Sequence, residues 1–224
     1  MTSMRSPFSP LYLLLFSVFL GFLFFYLQLI VVNEVAQKLG LTPNSALLLF
    51  ASSLVGSAIN LPLFTLHSQP PIHRPPQPFP GLLRLPVRPF AGKTVIAVNV
   101  GGCLIPIGFS LFLLNHNPVP LPALLIALST VTAVSYGLSR PIPGVGIGLP
   151  VLVPPLTAAL VAFLLGGDLA APLAYVAGTL GVLLGADLFH LRDIQDLGVP
   201  FASIGGAGTF DGIFITGIVA VLIA

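Results

Sequence analysis

Long apolar runs separated by short polar stretches dominate the chain, and they predict membrane-spanning helices. The stretch from Leu11 to Val32 contains no charged residue, and about 20 apolar residues suffice to cross a hydrocarbon layer of roughly 30 Å. The runs lack the two-residue alternation of a membrane barrel, and backbone groups that face lipid must be paired within the chain. We therefore predict an all-α fold, a polytopic transmembrane helical bundle.

Seven apolar segments can be counted, at about 9–33, 43–66, 94–114, 121–138, 150–166, 170–189 and 199–224. Glycine and proline interrupt several of them, as at Gly101-Gly102, and such breaks free backbone groups that protein or water must satisfy. One long polar stretch, about 67–93, separates the second and third segments and is too rich in proline for a helix. We interpret it as a cytoplasmic loop in a single integral membrane domain covering residues 1–224.

The composition excludes a soluble domain, because 56% of the 224 residues are hydrophobic, only 6% are charged and the mean hydropathy is +1.06. The single cysteine, Cys103, allows no intrachain disulfide and no cysteine-based zinc site. The formal net charge of +2 gives no reason to expect nucleic acid as a partner, since the basic residues follow membrane topology. The expected partners are membrane lipids.

The basic residues predict the orientation of the bundle, because cytoplasmic loops of membrane proteins are enriched in Lys and Arg. Seven alternating spans leave Lys38 alone on one side, whereas the other basic residues share the opposite side: Arg5, Arg74, Arg84, Arg88, Lys93, Arg140 and Arg192. We therefore predict that the N-terminus is inside, that the C-terminus is outside, and that the protein resides in the plasma membrane.

Two of the six acidic residues are predicted to lie at membrane depth. Asp187 lies on the order of 7 Å inside the sixth segment, counted from Arg192 at ~1.5 Å per residue, and Asp211 lies about a third of the way into the seventh. An acidic side chain within a span costs about 2.5–3.5 kcal/mol on insertion scales and is by default a functional-site hypothesis. The other four acids are expected in caps and surface turns: Glu34, Asp168, Asp193 and Asp196.

Asp187 and Asp211 are on neighbouring antiparallel spans at comparable depth, so they are predicted to face each other. Two such carboxyl groups share a proton, because both cannot easily ionise at low dielectric. The pair then suits aspartyl protease chemistry, in which one group is the base and the other the acid. Gly205, Gly206 and Gly208 would let an extended substrate backbone approach, and a transmembrane peptide is the expected substrate.

Two other readings of the same acids stay open. The pair could carry protons or bind a cation in a proton- or ion-coupled transporter whose broken helices line the pathway. In a non-catalytic membrane scaffold, both acids would instead bond freed backbone NH groups or Arg192. None of these readings requires a cofactor, and the four histidines are not spaced as metal ligands.

Two resemblances are carried by the last forty or so residues. The stretch "GADLFHLRDIQDLGVPFASIGGAGTFDGIFITGIVAVLIA", residues 185–224, resembles the C-terminal signature of a prokaryotic membrane family known as domain of unknown function 1614. The resemblance implies a multi-span protein and supplies no activity.

A second resemblance is to intramembrane aspartyl proteases of the presenilin and signal-peptide-peptidase group, which carry Tyr-Asp on one helix and Gly-x-Gly-Asp on the next. Ala186-Asp187 is similar to the first motif, with Ala in place of Tyr, and Gly208-Thr209-Phe210-Asp211 is similar to the second, with Phe in place of its second Gly. This resemblance implies that Asp187 and Asp211 are the catalytic pair.

Overall fold

The secondary structure is that of a computed structural model, which describes residues 10–68, 92–142, 146–206 and 212–224. The α-helices are α1 (Pro10–Lys38), α2 (Pro43–Gly56), α3 (Ile105–His116), α4 (Leu121–Leu138), α5 (Val153–Gly166), α6 (Ala170–Val182) and α7 (Gly212–Ile223). The strands are β1 (Asn60–His67), β2 (Lys93–Asn99), β3 (Arg140–Ile142), β4 (Gly146–Gly148) and β5 (Phe201–Ile204). A first π-helical segment, Val100–Leu104, leads into α3, and a second, Leu183–Leu188, continues α6.

The described chain is mostly helical, as predicted, and three of its helical stretches are long and apolar enough to cross a membrane. They are Leu14–Lys38, Leu121–Leu138 and Val153–Leu188. The third contains two helices, because Gly167, with φ 51°, separates α5 from α6. A Cβ on Gly166 would touch Leu173 and one on Gly178 would touch Ala158, so α5 and α6 form an antiparallel hairpin.

The prediction of an all-α fold was wrong, because three of the seven apolar segments contain strands. β1 pairs antiparallel with β2, from Asn60 opposite Asn99 to His67 opposite Lys93. β5 pairs parallel with the other edge of β2, so the strand order is β1-β2-β5. β3 and β4 form a separate short antiparallel pair. The sheet therefore lies between the C-terminal end of α2 and the N-terminal end of α3, and its strand β5 is the last strand before α7.

The strands were missed because their hydrophobic pattern does not distinguish them from buried helices. β2 reads Lys-Thr-Val-Ile-Ala-Val-Asn, and most of its residues are buried within the protein. A strand buried on both faces is a continuous apolar run without alternation of apolar and polar residues. When such a run continues into an apolar helix, no change of periodicity marks where the strand ends. Its β-branched residues, Thr94, Val95, Ile96 and Val98, favour a strand.

Helix α6 is the centre of the helical part. Its residues from Ala171 to Thr179 are all buried, and it packs against α3, α4, α5 and α7. Its sequence is rich in Ala and Gly, which lets the backbones of the surrounding helices approach closely. The core therefore depends on close packing of small side chains around one helix.

Gly181, near the end of α6, and Gly185, on the second π-helical segment, bring the backbone close to α4. A Cβ on Gly181 would lie 2.6 Å from Val131 Cγ1, and one on Gly185 would lie 2.9 Å from Ser135 Cβ and closer still to the Thr132 carbonyl oxygen. Real Cβ atoms essentially never make contacts shorter than 3.0 Å. This Gly-x-x-x-Gly pair therefore holds α4 against the second π-helical segment.

We expect Gly185→Ala to destabilise the protein by about 1–3 kcal/mol, because the added methyl group overpacks the α4 contact. Gly137→Ala is the matched control, since Gly137 lies on α4, a Cβ there would meet nothing within 4 Å, and Ala favours helix. Thermal unfolding in detergent should show a lower melting temperature for the first variant only. Equal melting temperatures would contradict the packing argument.

Candidate functional site

Asp187 is on the second π-helical segment and is half-buried. Its Oδ2 accepts a hydrogen bond from the backbone N–H of Gly205, at 3.1 Å. Gly205 follows β5 directly, so the carboxylate is held against the end of the sheet. π-Helical turns inside longer helices occur frequently at functional sites, and this one carries an acidic residue of the long apolar stretch Val153–Leu188.

Gly205 also lies against the first π-helical segment. A Cβ on this residue would be 2.6 Å from Cys103 Cβ and 2.8 Å from the backbone carbon of Gly102. Gly205 and Gly206 have φ values of +81° and +88°, which glycine adopts readily and other residues rarely do. The chain leaving β5 thus passes between the two π-helical segments, and only glycine fits at Gly205.

A buried amide network fixes the first π-helical segment on the sheet. The Asn99 side chain accepts a hydrogen bond from Gly102 N, at 2.7 Å, and donates to the Ser57 carbonyl, at 2.7 Å, and to Asn60 Oδ1, at 3.1 Å. The Ser203 hydroxyl donates to the same Asn60 oxygen, at 2.5 Å. Asn99 is fully buried, so these bonds satisfy polar groups that would otherwise be costly and connect all three strands.

His190 closes the other π-helical segment. Its Nδ1 lies 3.0 Å from the Gly185 carbonyl oxygen and so donates to it, and its ring packs 4.8 Å from that of Tyr136. Its Nε2 lies 3.9 Å from Asp193 Oδ2. The ring is buried, so it satisfies a carbonyl near the helix end and fixes the turn that follows Asp187.

Asp211 and Gly208 lie outside the described residues, so the predicted meeting of Asp187 with Asp211 stays a prediction. The described chain resumes at Gly212, the first residue of α7. Ile213 packs in one core cluster with Val182 and Leu183, whereas Ala220 packs in another with Leu173 and Ala174, so α6 and α7 run antiparallel. The first residues of α7 therefore lie close to the helical stretch that carries Asp187.

The remaining acids lie where the sequence predicts surface residues, with Glu34, Asp168 and Asp196 exposed. Among the described residues, no group of three or more His, Cys, Asp and Glu side chains could hold a metal ion. Asn99 and His190 were not predicted to belong to this region. Asn99 could have been noticed as a polar residue between Val98 and Val100, whereas nothing in the sequence connects His190 with Gly185.

The chain matches one family model over residues 54–223, that of the family described as Protein of unknown function (DUF1614). The match confirms the resemblance seen at residues 185–224 and extends it over most of the chain. No curated protein and no solved structure matches. The resemblance to intramembrane aspartyl proteases has no support from these comparisons and stays a prediction.

Proposed function

The chain belongs to the family of domain of unknown function 1614, and we propose that members with this site hydrolyse peptide bonds of membrane-spanning substrates. Asp187 and Asp211 form the acid and base pair. The family description names no activity, so the proposal rests on the site itself.

The observation that carries the proposal is the hydrogen bond from Gly205 N–H to Asp187 Oδ2. It fixes the carboxylate at the start of the short glycine-rich connection that contains Asp211. The connection ends at Gly212, whose neighbour Ile213 packs with Val182 and Leu183, within about one and a half helical turns of Asp187. This placement favours an approach of the two carboxyl groups.

Such a pair supplies both halves of peptide hydrolysis. One carboxylate takes a proton from water, and the resulting hydroxide attacks the peptide carbonyl carbon. The protonated partner donates a hydrogen bond to the carbonyl oxygen, where negative charge develops. Collapse of the tetrahedral intermediate breaks the C–N bond, and the leaving amine receives the proton taken from water. The products are a carboxylic acid and an amine.

The sheet edge supports an extended substrate. β5 pairs with β2 on one side only within the described chain, and the glycine that donates to Asp187 follows it directly. An extended peptide can add to such an edge through main-chain hydrogen bonds. The role proposed for Gly206 and Gly208 is to let a substrate backbone approach the carboxylate. Gly205 instead packs against Cys103 and holds Asp187 through its N–H.

We further propose that the seven apolar segments span the plasma membrane with the N-terminus inside and the C-terminus outside. Lys38 Nζ donates to the Leu222 carbonyl at 2.9 Å, which supports a common outer side for the ends of α1 and α7. Tyr136 and Arg192 line one hollow, which supports a common inner side for the ends of α4 and α6. The short helices α2 and α7 continue toward the sheet, whose paired backbone suits the inner boundary.

A reporter assay in liposomes tests the proposed hydrolysis. We expect the purified protein to cleave one or more of a panel of apolar transmembrane peptides, and Asp211→Asn to abolish this cleavage because the acid and base pair is lost. Asp168→Asn, at an exposed turn, should cleave at the wild-type rate, and melting temperatures report whether each variant is folded. Full cleavage by folded Asp211→Asn, or no cleavage by the wild type, contradicts the proposal.

The same liposomes distinguish the two other functions. Wild-type protein that cleaves no peptide but takes up solute in response to a pH gradient would favour a proton- or ion-coupled transporter. Neither cleavage nor uptake would favour a non-catalytic membrane scaffold. Uptake that depends on Asp187 while cleavage is absent would assign the acid to transport.

A further inference from the structure

A long apolar groove runs along the outer surface of α4 and the second π-helical segment. Its volume is about 590 Å³, and its walls include Leu125, Leu128, Ala133 and Leu184. The Ser129 hydroxyl in the wall donates to the Ile126 carbonyl of its own helix, so it offers the groove little polarity. The groove therefore suits a flexible hydrocarbon chain.

A second hollow, of about 500 Å³, continues the groove past the end of α4. The two share Tyr136 and Phe189, whose rings meet edge to face with centroids 6.0 Å apart. Leu188, Leu191 and Arg192 complete the second hollow. The surface thus changes from apolar to cationic across an aromatic pair, and aromatic residues of this kind are enriched at membrane interfaces.

Arg192 is the charged side chain in the described lining of the second hollow. It is exposed, and among the described residues its guanidinium group has no hydrogen bond or ion pair. The acidic groups on the same turn are Asp193, whose Oδ2 lies 3.9 Å from His190 Nε2, and the exposed Asp196. A guanidinium group binds phosphate through paired N–H donors.

We propose that this surface binds one anionic phospholipid, with an acyl chain in the groove and the phosphate on Arg192. From Leu125 to Tyr136, α4 rises ~16 Å, about half of the roughly 30 Å hydrocarbon layer and so the depth that one leaflet offers to an acyl chain. Basic pockets beside transmembrane helices on the cytoplasmic side are known to bind anionic headgroups. The inference needs α4 in a membrane and does not depend on peptide hydrolysis.

Native mass spectrometry of the full chain with defined lipids tests the site. We expect the wild type to retain phosphatidylglycerol at least about tenfold better than phosphatidylcholine, and Arg192→Gln to remove this preference because the phosphate loses its partner. Lys38→Gln is the matched control, since Lys38 contacts Leu222 at the other end of the bundle. It should keep the preference.

Two further measurements identify what is bound. Ala133→Phe fills the groove from an exposed position and should lower retention of phosphatidylglycerol without lowering the melting temperature. Inorganic phosphate should not raise the melting temperature of the wild type, whereas phosphatidylglycerol should. Equal retention of both lipids, unchanged retention in Arg192→Gln or Ala133→Phe, or stabilisation by phosphate alone would overturn the proposal.

Discussion

Asp187→Asn is expected to abolish cleavage of a transmembrane reporter, by at least about a hundredfold, while the protein stays folded. General acid and base groups contribute on the order of 10²–10⁴-fold, and an amide cannot exchange a proton with water in the same way. In the wild type, Asp187 Oδ2 accepts a hydrogen bond from Gly205 N–H at 3.1 Å. The side-chain oxygen of Asn can still accept this bond. The melting temperature should therefore stay close to that of the wild type.

Asp187→Ala separates the chemical role from the structural one. It should abolish cleavage equally and also lower the free energy of unfolding by about 1–3 kcal/mol, because the Gly205 N–H loses its acceptor. Asp196→Asn, on the exposed turn, should change neither quantity. Cleavage rates in liposomes and melting temperatures in detergent check both. Wild-type cleavage by Asp187→Asn would remove Asp187 from the chemistry, and an unchanged melting temperature for Asp187→Ala would remove the structural role of the bond.

Gly101→Ala is expected to destabilise the native bundle strongly. A Cβ at this position would lie 2.8 Å from the backbone carbon of Gly56 and closer still to the Ser53 carbonyl oxygen and the Ser57 nitrogen. All three are backbone atoms of α2 and its end, so they cannot rotate away. The Ser53 hydroxyl also donates to the Gly101 carbonyl. Overpacking of this kind costs about 1–3 kcal/mol, and more where backbone must move.

The matched control is Gly108→Ala, because Gly108 is on α3 and a Cβ there meets nothing within 4 Å. We expect a monodisperse size-exclusion peak and a melting temperature near that of the wild type for Gly108→Ala. For Gly101→Ala we expect aggregation or a melting temperature lower by several degrees. Equal behaviour of the two variants would show that the α2 contact yields to a methyl group.

Helices whose apolar segment contains no strand could be predicted from the sequence. The predicted segment 121–138 coincides with α4, Leu121–Leu138, and the segment 150–166 differs from α5 only at its start. Each is a single apolar run bounded by polar or proline-containing stretches, so its hydrophobic length fixes its extent. The second, third and seventh segments join a helix to a strand, and neither hydrophobicity nor length shows where the change occurs.

The candidate site could be predicted in part. Asp187 was found because a carboxylate in an apolar segment is costly and therefore conspicuous. The hydrogen bond that Asp187 accepts from Gly205 N–H could not be predicted. It depends on the pairing of β5 with β2 and on the glycine turn that follows β5. The same holds for the bond from His190 to the Gly185 carbonyl, because that carbonyl needs a side-chain partner only where the helix ends.

The sequence by itself determined a largely helical chain with helices long and apolar enough for a membrane, membership of the family, and the few acidic residues that apolar segments contain. Those properties follow from hydrophobicity, which is additive along the chain and needs no partner. Only the tertiary structure decided the sheet, the two π-helical segments and the contact of Asp187 with Gly205. Strand pairing and backbone hydrogen bonds depend on residues far apart in sequence, so no local pattern specifies them.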